Sequence, residues 1–362
     1  MTDMYYGPLP LTVEDITLDF LSAALATRLP QSHLRSFKIV EVLQGTCTKI
    51  WLSLDGEADE KDTRLPETAL LKGGFETHSR AMGHMHRTEA LSYGTLVPTL
   101  GLRTPQVYFS GWDEAGRQGV VIMEDLRARG VDFCSPLVSQ TFDQTAARLK
   151  ALAAIHAQTW GSLDVKSGGR WEWLGDMPAN WRLYFDAYLE PDVWNHYIRE
   201  PRGAAAAKVF HDRAWMSDAL DRMAAYAAGL PYCAIHGDTH LGNLYHDIDG
   251  APGFFDCIMT SAPAMIEVAY HLGCALDLSD RAAWEADLIR MYLAELQAHG
   301  VAAPSFEEAL HQYGVLLAYG YGIFIINEAR FQTEANNTAY TARLSQAMLD
   351  HDTMGKLAKI SL

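Results

Sequence analysis

The order in which strand-like and helix-like segments follow one another constrains this chain most. Phe37–Leu43, Lys49–Leu54 and Thr68–Lys72 are short runs rich in β-branched and large apolar residues, as strands are. Met82–Leu96 then reads as a helix, and Gln106–Gly111 and Gly119–Met123 read as strands again. Beyond Leu126 the pattern becomes helical. Phe142–Trp160 carries Leu149, Leu152, Ala153 and Ile155 at helical spacing, Ala204–Ala228 predicts another helix, and helices are expected from Ala262 to the C-terminus. Only short strands interrupt them, at Tyr232–His236, near Leu244–His246 and at Gly253–Asp256. The expectation is an α+β protein in two parts. Residues 1–126 form a small antiparallel sheet with one main helix, and residues 127–362 form a larger, mostly helical part. At the start, Thr12 and Asp15 predict a capped helix over Val13–Leu29, closed by Pro30, and Asp55–Glu67 is expected to be a polar loop.

Bulk properties exclude several classes. A chain of 362 residues with 49% hydrophobic and 20% charged residues builds a sizeable core without covalent staples. The formal net charge of −16 argues against nonspecific binding to nucleic acid or to an anionic membrane, and it is compatible with a cationic substrate. The five cysteines, Cys47, Cys134, Cys233, Cys257 and Cys274, are odd in number and lack C-x-x-C spacing, so neither a disulfide framework nor a zinc ribbon is expected. A reducing, cytoplasmic setting fits best. Met1–Pro10 has no basic stretch leading into an apolar run, so no signal peptide is expected. Val315–Ile326, interrupted by Gly320 and Gly322, is expected to be too short to cross a bilayer and to be a buried helix.

One segment carries chemistry: His236-Gly237-Asp238-Thr239-His240-Leu241-Gly242-Asn243, directly after the apolar run Tyr232–Ile235. Phosphoryl transfer needs a carboxylate to orient the attacking hydroxyl, oxygen ligands for magnesium, a cation on the phosphates and a backbone loop over them. Asp238, held at the end of a buried strand, is the candidate for the first part. Asn243 and Asp256, which follows Gly253-Phe254-Phe255, offer hard oxygen ligands suited to magnesium. Two other readings compete. His236, Asp238 and His240 alternate, so on extended backbone they share a face and could bind zinc in a metal-dependent hydrolase. That reading wants further ligands, for which His246 and His271 lack convincing spacing, and it leaves Asn243 and Lys72 without a part. A catalytically silent nucleotide-binding module is the third reading, and the full set of chemical groups speaks against it.

The pattern H-G-D-x-H-x-x-N, followed by an apolar strand ending in Asp, resembles the active-site signature of the aminoglycoside phosphotransferase and choline kinase-like group. The resemblance runs from about residue 36 to about residue 280. It implies a two-lobed, protein-kinase-like fold and transfer of the ATP γ-phosphate to the hydroxyl of a small molecule, with magnesium. It implies that Asp238 is the catalytic base, that Asn243 and Asp256 bind magnesium, and that His236 and His240 brace the loop. By the same resemblance Lys72 contacts the phosphates, Glu89 pairs with it, and Gly45 and Thr46 lie in the nucleotide-covering loop. Val121–Leu126, with Glu124 and Leu126, is the hinge that meets adenine. Leu152–Trp160 resembles the L-A-x-x-H-x-x-x-W helix of the ecdysteroid kinase-like branch. The chain departs from the pattern in three places. Its loop has one glycine, Asp256 is followed by Cys257-Ile258 rather than Phe-Gly, and Glu267 stands where many relatives have aspartate. Glu267 is expected to be structural. Trp160, Trp171, Trp173, Trp181 and Trp194, with Tyr319–Tyr340, are candidates to line the acceptor pocket, either as a cage for a quaternary ammonium or as an apolar wall for a hydrophobic alcohol.

Overall fold

A computed structural model describes residues 4–45, 47–58 and 65–362. The chain forms two compact units. One comprises residues 1–132 and 247–258, the other residues 133–246 and 259–362. Sequence order suggests a single division near residue 126. The structure divides the chain at 132 and returns 247–258 to the first unit, because a linear pattern does not show where an excursion of the chain packs.

The first unit is built on six strands: β1 (Tyr5–Tyr6), β2 (Ser32–Leu43), β3 (Thr48–Ala58), β4 (Thr68–Gly73), β5 (Val107–Asp113) and β6 (Gln118–Glu124). Their spatial order is β1-β5-β6-β4-β3-β2. All neighbours are antiparallel except β1 and β5. Register decides which residues share a face. Ile50, Leu71 and Ile122 lie on one rung, and Lys49, Lys72 and Val121 lie on the adjacent rung. Side chains alternate along a strand, so the first rung points to one face and the lysines to the other. The apolar face packs on Leu21, Ala24 and Leu25 of the Leu18–Ala26 helix, all within one core. Fully burying one such leucine contributes about 2 kcal/mol.

Several expected boundaries change here, each for a local reason. The helix expected over Val13–Leu29 is two pieces. Asp15 closes a capping box onto the N–H of Thr12 at 2.9 Å, which ends in a single 3₁₀ turn, Val13–Asp15. Thr17 then caps the true helix through the N–H of Phe20. β3 runs on to Ala58, into the segment expected to be a loop, because β2 begins at Ser32 and supplies partners that far. The expected helix Met82–Leu96 is α-helical only over Gly83–Leu91. Ser92–Leu96 is a π turn, in which the N–H of Val97 reaches back to the carbonyl of Ser92. Pro98 has no N–H to return to Gly94, so the regular ladder breaks there. The third apolar strand ends at Phe254, leaving Asp256 in a left-handed turn with φ 54°.

The second unit is mostly helical. The Tyr232–Ile235 strand is wholly buried and pairs antiparallel with Thr260–Pro263. It leads into the loop that carries Asp238. The Ala264–Ala275 helix is buried at every position, so it is the central element. The expected helix Ala204–Ala228 is interrupted. Pro201–Ala205 and the 3₁₀ turn Lys208–His211 precede Arg213–Ala228, which starts afresh because Asp212 caps the N–H groups of Ala214 and Trp215. The apolar segment around Val315 belongs to a 21-residue helix, Phe306–Ile326. By length and composition that helix could cross a membrane, which corrects the expectation that it is too short, and 78% of its most apolar window is buried.

Candidate active site

In the second unit, the backbone of the His236–Asn243 loop is held from below. Gly237 takes φ 90°, a left-handed value that lets the chain leave the buried strand abruptly. The Glu267 carboxylate accepts the N–H of His236 at 3.1 Å and of Gly237 at 2.8 Å. It is also hydrogen-bonded to His156 Nε2 at 2.8 Å, and His156 Nδ1 to the Tyr292 hydroxyl at 2.8 Å. Burial opposes charge on Glu267, and its contacts with His156, His236 and the Gly237 N–H together outweigh this, so the carboxyl is held below the usual range.

Asp238 is half-buried, and both of its carboxylate oxygens are engaged. Tyr270 donates its hydroxyl to Oδ1 at 2.8 Å, and Asn243 donates its side-chain N–H to Oδ2 at 2.8 Å and to the Asp238 carbonyl at 3.0 Å. His240 Nε2 lies 3.5 Å from Oδ2. Burial raises the Asp238 pKa, but His240, the Tyr270 hydrogen bond and His236 together hold it below the ordinary aspartate value. The group is therefore an ionised acceptor, suited to orienting a hydroxyl. The Asn243 side-chain N–H is committed to Asp238, which leaves the amide oxygen for a cation. His236 and His240 do not converge on one point. Each uses Nδ1 to accept a backbone N–H two residues on, from Asp238 and Gly242 respectively. Among the described residues no group of three metal-ligating side chains is assembled.

In the first unit, Lys72, Glu89 and Asp256 come together. The Lys72 ammonium is 2% exposed and lies between Glu89 Oε1, with which it makes a short contact, and Asp256 Oδ1 at 2.6 Å. Lys49, opposite Lys72 in register, reaches Asp256 Oδ2 at 3.3 Å. Burial works against the charge on Lys72, and the neighbouring charges, Asp256 first, outweigh it and raise its pKa well above the ordinary lysine value. Burial also opposes charge on Asp256, but Lys49 and then Lys72 hold its carboxyl well below the usual range. The turn at Asp256 is tied down by the next residue, whose N–H donates to the Tyr93 hydroxyl at 3.3 Å. Tyr93 comes from the π turn, a geometry that recurs at functional sites. A left-handed aspartate is itself an uncommon, strained conformation of the kind such sites hold.

The remaining expected positions are placed as follows. Gly45 lies between β2 and β3, and its carbonyl is hydrogen-bonded to His78 Nε2 at 2.9 Å. Thr46 lies outside the described residues. Glu124 ends β6. Its N–H donates to the Gln106 carbonyl at 2.8 Å and its carboxylate pairs with Arg129 at 2.7 Å. Leu126 opens the short Leu126–Arg129 helix, so its N–H has no acceptor inside that helix.

Comparison with known proteins decides the family: the model of the phosphotransferase enzyme family matches residues 95–304, more than half of the chain. The chain belongs to this family. Membership makes it a phosphotransferase acting on a hydroxyl-bearing small molecule. Among curated proteins none matches it. In fold, this phosphotransferase is similar to the choline kinase LicA from Streptococcus pneumoniae, at 12% identity and TM-score 0.50, covering 94% of this chain and 98% of that one. It is also similar to the choline kinase from Cryptosporidium parvum, at 10% identity and TM-score 0.51, covering 90% and 92%. A third is the GDP and kanamycin complex of APH(2")-IIia, at 9% and 0.50, covering 93% and 99%. The phosphotransferase thus has the two-lobed, kinase-like fold of its group.

The aromatic residues gathered near Asp238 are tyrosines more than the expected tryptophans. Trp171, Trp181 and Trp194 are buried; Trp194 donates to the His211 carbonyl, and Trp181 stacks on Tyr319 at 5.1 Å. Tyr319 packs on Tyr270, the donor to Asp238. Tyr184, Tyr188 and Tyr197 form a second, more open group, and Tyr188 donates to Glu328 at 3.0 Å. Burial and then the charge of Asp238 push the Tyr184 phenol up to about 12, so this one side chain of the three lies in the field of the carboxylate. A charged cavity of about 340 Å³ adjoins it, lined among others by Tyr197, Glu200, Arg202 and Glu328.

Sequence reasoning passed over four of these residues. Lys49 needed the β3–β4 register, and Tyr93 needed the π turn. His156, quoted only as part of a helix motif, proved to be the partner of Glu267. Tyr270 had a signal available: it lies one turn after Glu267 on the same helix, where both reach one loop.

Proposed function

We propose that this phosphotransferase moves the γ-phosphate of ATP, with magnesium, to the hydroxyl of a small, amine-bearing alcohol. The observation that carries the reading is Asp238: an ionised carboxylate, fixed by Tyr270 and Asn243, at the end of a buried strand. In this role it orients the acceptor hydroxyl and receives its proton as the bond to phosphorus forms. Lys72 meets the nucleotide phosphates and Glu89 keeps its ammonium in place. The backbone around Gly45 covers the phosphates, and that of Glu124 and Leu126 meets the base. The carboxylate of Asp256 in the first unit and the amide oxygen of Asn243 in the second are each hard oxygen ligands of the kind magnesium takes, and these two residues would hold it. When bound, magnesium neutralises charge on the phosphates. One fold neighbour was solved with GDP and kanamycin, which supports nucleotide use.

An ammonium group is suggested by the open tyrosine faces of Tyr184, Tyr188 and Tyr197, with Glu328 at their edge, since aromatic faces and a carboxylate both attract cations. A second reading, a neutral hydrophobic alcohol, is favoured by Arg330, which already pairs with Glu328 at 2.8 Å, and by the ecdysteroid kinase-like helix segment Leu152–Trp160. Transfer from γ-labelled ATP to a panel of choline, ethanolamine, kanamycin and a steroid alcohol separates the two. Asp238→Asn is expected to lose about 10²–10⁴-fold in turnover with the accepted alcohol while still binding nucleotide in a thermal-shift assay. Full turnover by that variant would sink the role of Asp238.

A further inference from the structure

Arg148 presents an unbalanced charge. It lies on the Phe142–Thr159 helix, its side chain is fully buried, and it forms no ion pair with any described carboxylate. Its Nε and Nη1 have no hydrogen-bond partner among the described residues. Its Nη2 donates to Cys134 Sγ at 3.2 Å, to the Gln140 amide oxygen and to His246 Nε2 at 2.9 Å. As an acceptor, His246 is a neutral imidazole at that nitrogen, and Gln140 is neutral always. A buried cation without an opposite charge is strongly unfavourable. Of the groups touching Arg148, only Cys134 can supply that charge.

We infer that Cys134 is held as a thiolate by Arg148 and is the reactive cysteine of this protein, a modification site for soft alkyl electrophiles and peroxides. Cys134, like Cys47, is partly exposed. The other four cysteines contrast with it. Cys233, Cys257 and Cys274 are buried, and burial pushes their thiols up. Cys47 is pushed up to about 11, burial outweighing the nearby lysines. At Cys134 the charge arrangement runs the other way. Burial lowers the pKa of Arg148, and its contact with Cys134 offsets that only in part. Charged and titratable groups around the pair include Arg148 from its helix, His246 from the Leu244–His246 strand and, beyond them, His271 from the Ala264–Ala275 helix, which feels the charge of Arg148.

The chemistry balances. With iodoacetamide the thiolate sulfur forms a bond to carbon and iodide leaves. With hydrogen peroxide the sulfur attacks one oxygen and the O–O bond breaks. The thiolate is oxidised by two electrons to a sulfenic acid, and the departing hydroxide takes a proton to become water.

The test is alkylation of the native full-length chain by limiting iodoacetamide over a range of pH, read cysteine by cysteine from peptide masses. Cys134 is expected to label first, with an inflection about 1–2 units below the free-thiol value of about 8.5. Arg148→Lys should keep a lowered inflection, and Arg148→Met should return it to about 8.5 or higher. An inflection for wild-type Cys134 at or above the free-thiol value, or Cys47 labelling ahead of it, overturns the inference. If the Arg148 variants fail to fold, the wild-type profile decides alone. Trapping by dimedone after brief peroxide treatment should mark Cys134, and marking of another cysteine in its place counts against the site. No nucleotide or acceptor enters these measurements, so their outcome is independent of the proposed transfer reaction.

Discussion

Tyr270 and Asn243 each hold one oxygen of the Asp238 carboxylate, so neither the rotamer nor the charge of that group is left to solvent. Hydrogen bonds to the ionised form lower a carboxyl pKa. Tyr270→Phe keeps the ring packed on Phe324 and Tyr319 and removes only the donor. It is expected to raise the Asp238 pKa, to move the acidic limb of the turnover–pH profile upward and to lower turnover about 10-fold, with the KM for nucleotide little changed. A profile identical to wild type would show that the hydroxyl has no part in fixing Asp238. Lys72 presents the converse case. Lys72→Met leaves Glu89 and Asp256 facing each other across a buried space without their shared cation. Breaking a buried pair costs about 3–5 kcal/mol, so denaturant unfolding should show a loss of that order, softened by Lys49 on the far oxygen of Asp256.

Elements position these residues through a few local decisions. The turn at Gly237 is one, and Gly237→Ala is expected to cost about 1–2 kcal/mol in stability because an added Cβ disfavours left-handed backbone. Turnover should fall with it, since the same turn sets the Asp238 backbone. Caps are another. Thr12–Asp15, Thr17 and Asp212 all start helices, and the sequence shows capping residues at each. Yet only Thr12–Asp15 is read as a helix start, and there the helix stops after one turn. A capping box says that a helix can begin, not how far it continues; that depends on which side chains find a core. The same holds for β3, whose length past Leu54 depends on β2 offering partners from Ser32 onward. The central helix Ala264–Ala275 joins element to site, because Glu267 and Tyr270 on adjacent turns grip the backbone and the side chain of the Asp238 loop together.

For the whole molecule, buried neutral histidines give each unit a pH-dependent stability. His271 in one unit and His86 in the other are both pulled down to about 4, chiefly by burial. In the unfolded chain each returns to about 6.5. Above that value both states are neutral and nothing is at stake. Between about 6.5 and 4 the unfolded state binds protons that the folded state refuses, so stability falls as pH is lowered through that window. A loss of a few kcal/mol by pH 4 is expected in urea unfolding. Substituting His271 with Gln should flatten the slope; an unchanged slope would assign the acid sensitivity elsewhere.

The sequence by itself determined the eight-residue loop from His236 to Asn243, because its parts are neighbours along the chain and their spacing survives folding. It determined Lys72 and Glu89 nearly as well, since a strand leading into the next helix puts a lysine and a glutamate within reach by local geometry. Tertiary structure alone decided the rest. Lys49 joined Asp256 through sheet register, Tyr270 met Asp238 across 32 residues, and Cys134 met Arg148 inside a packed helical unit. Residues 247–258 packed with a unit whose other members precede them by more than a hundred positions. Spacing along a chain is carried by covalent geometry and can be read directly. Contacts across it are chosen by burial and register, which exist only once the chain has folded.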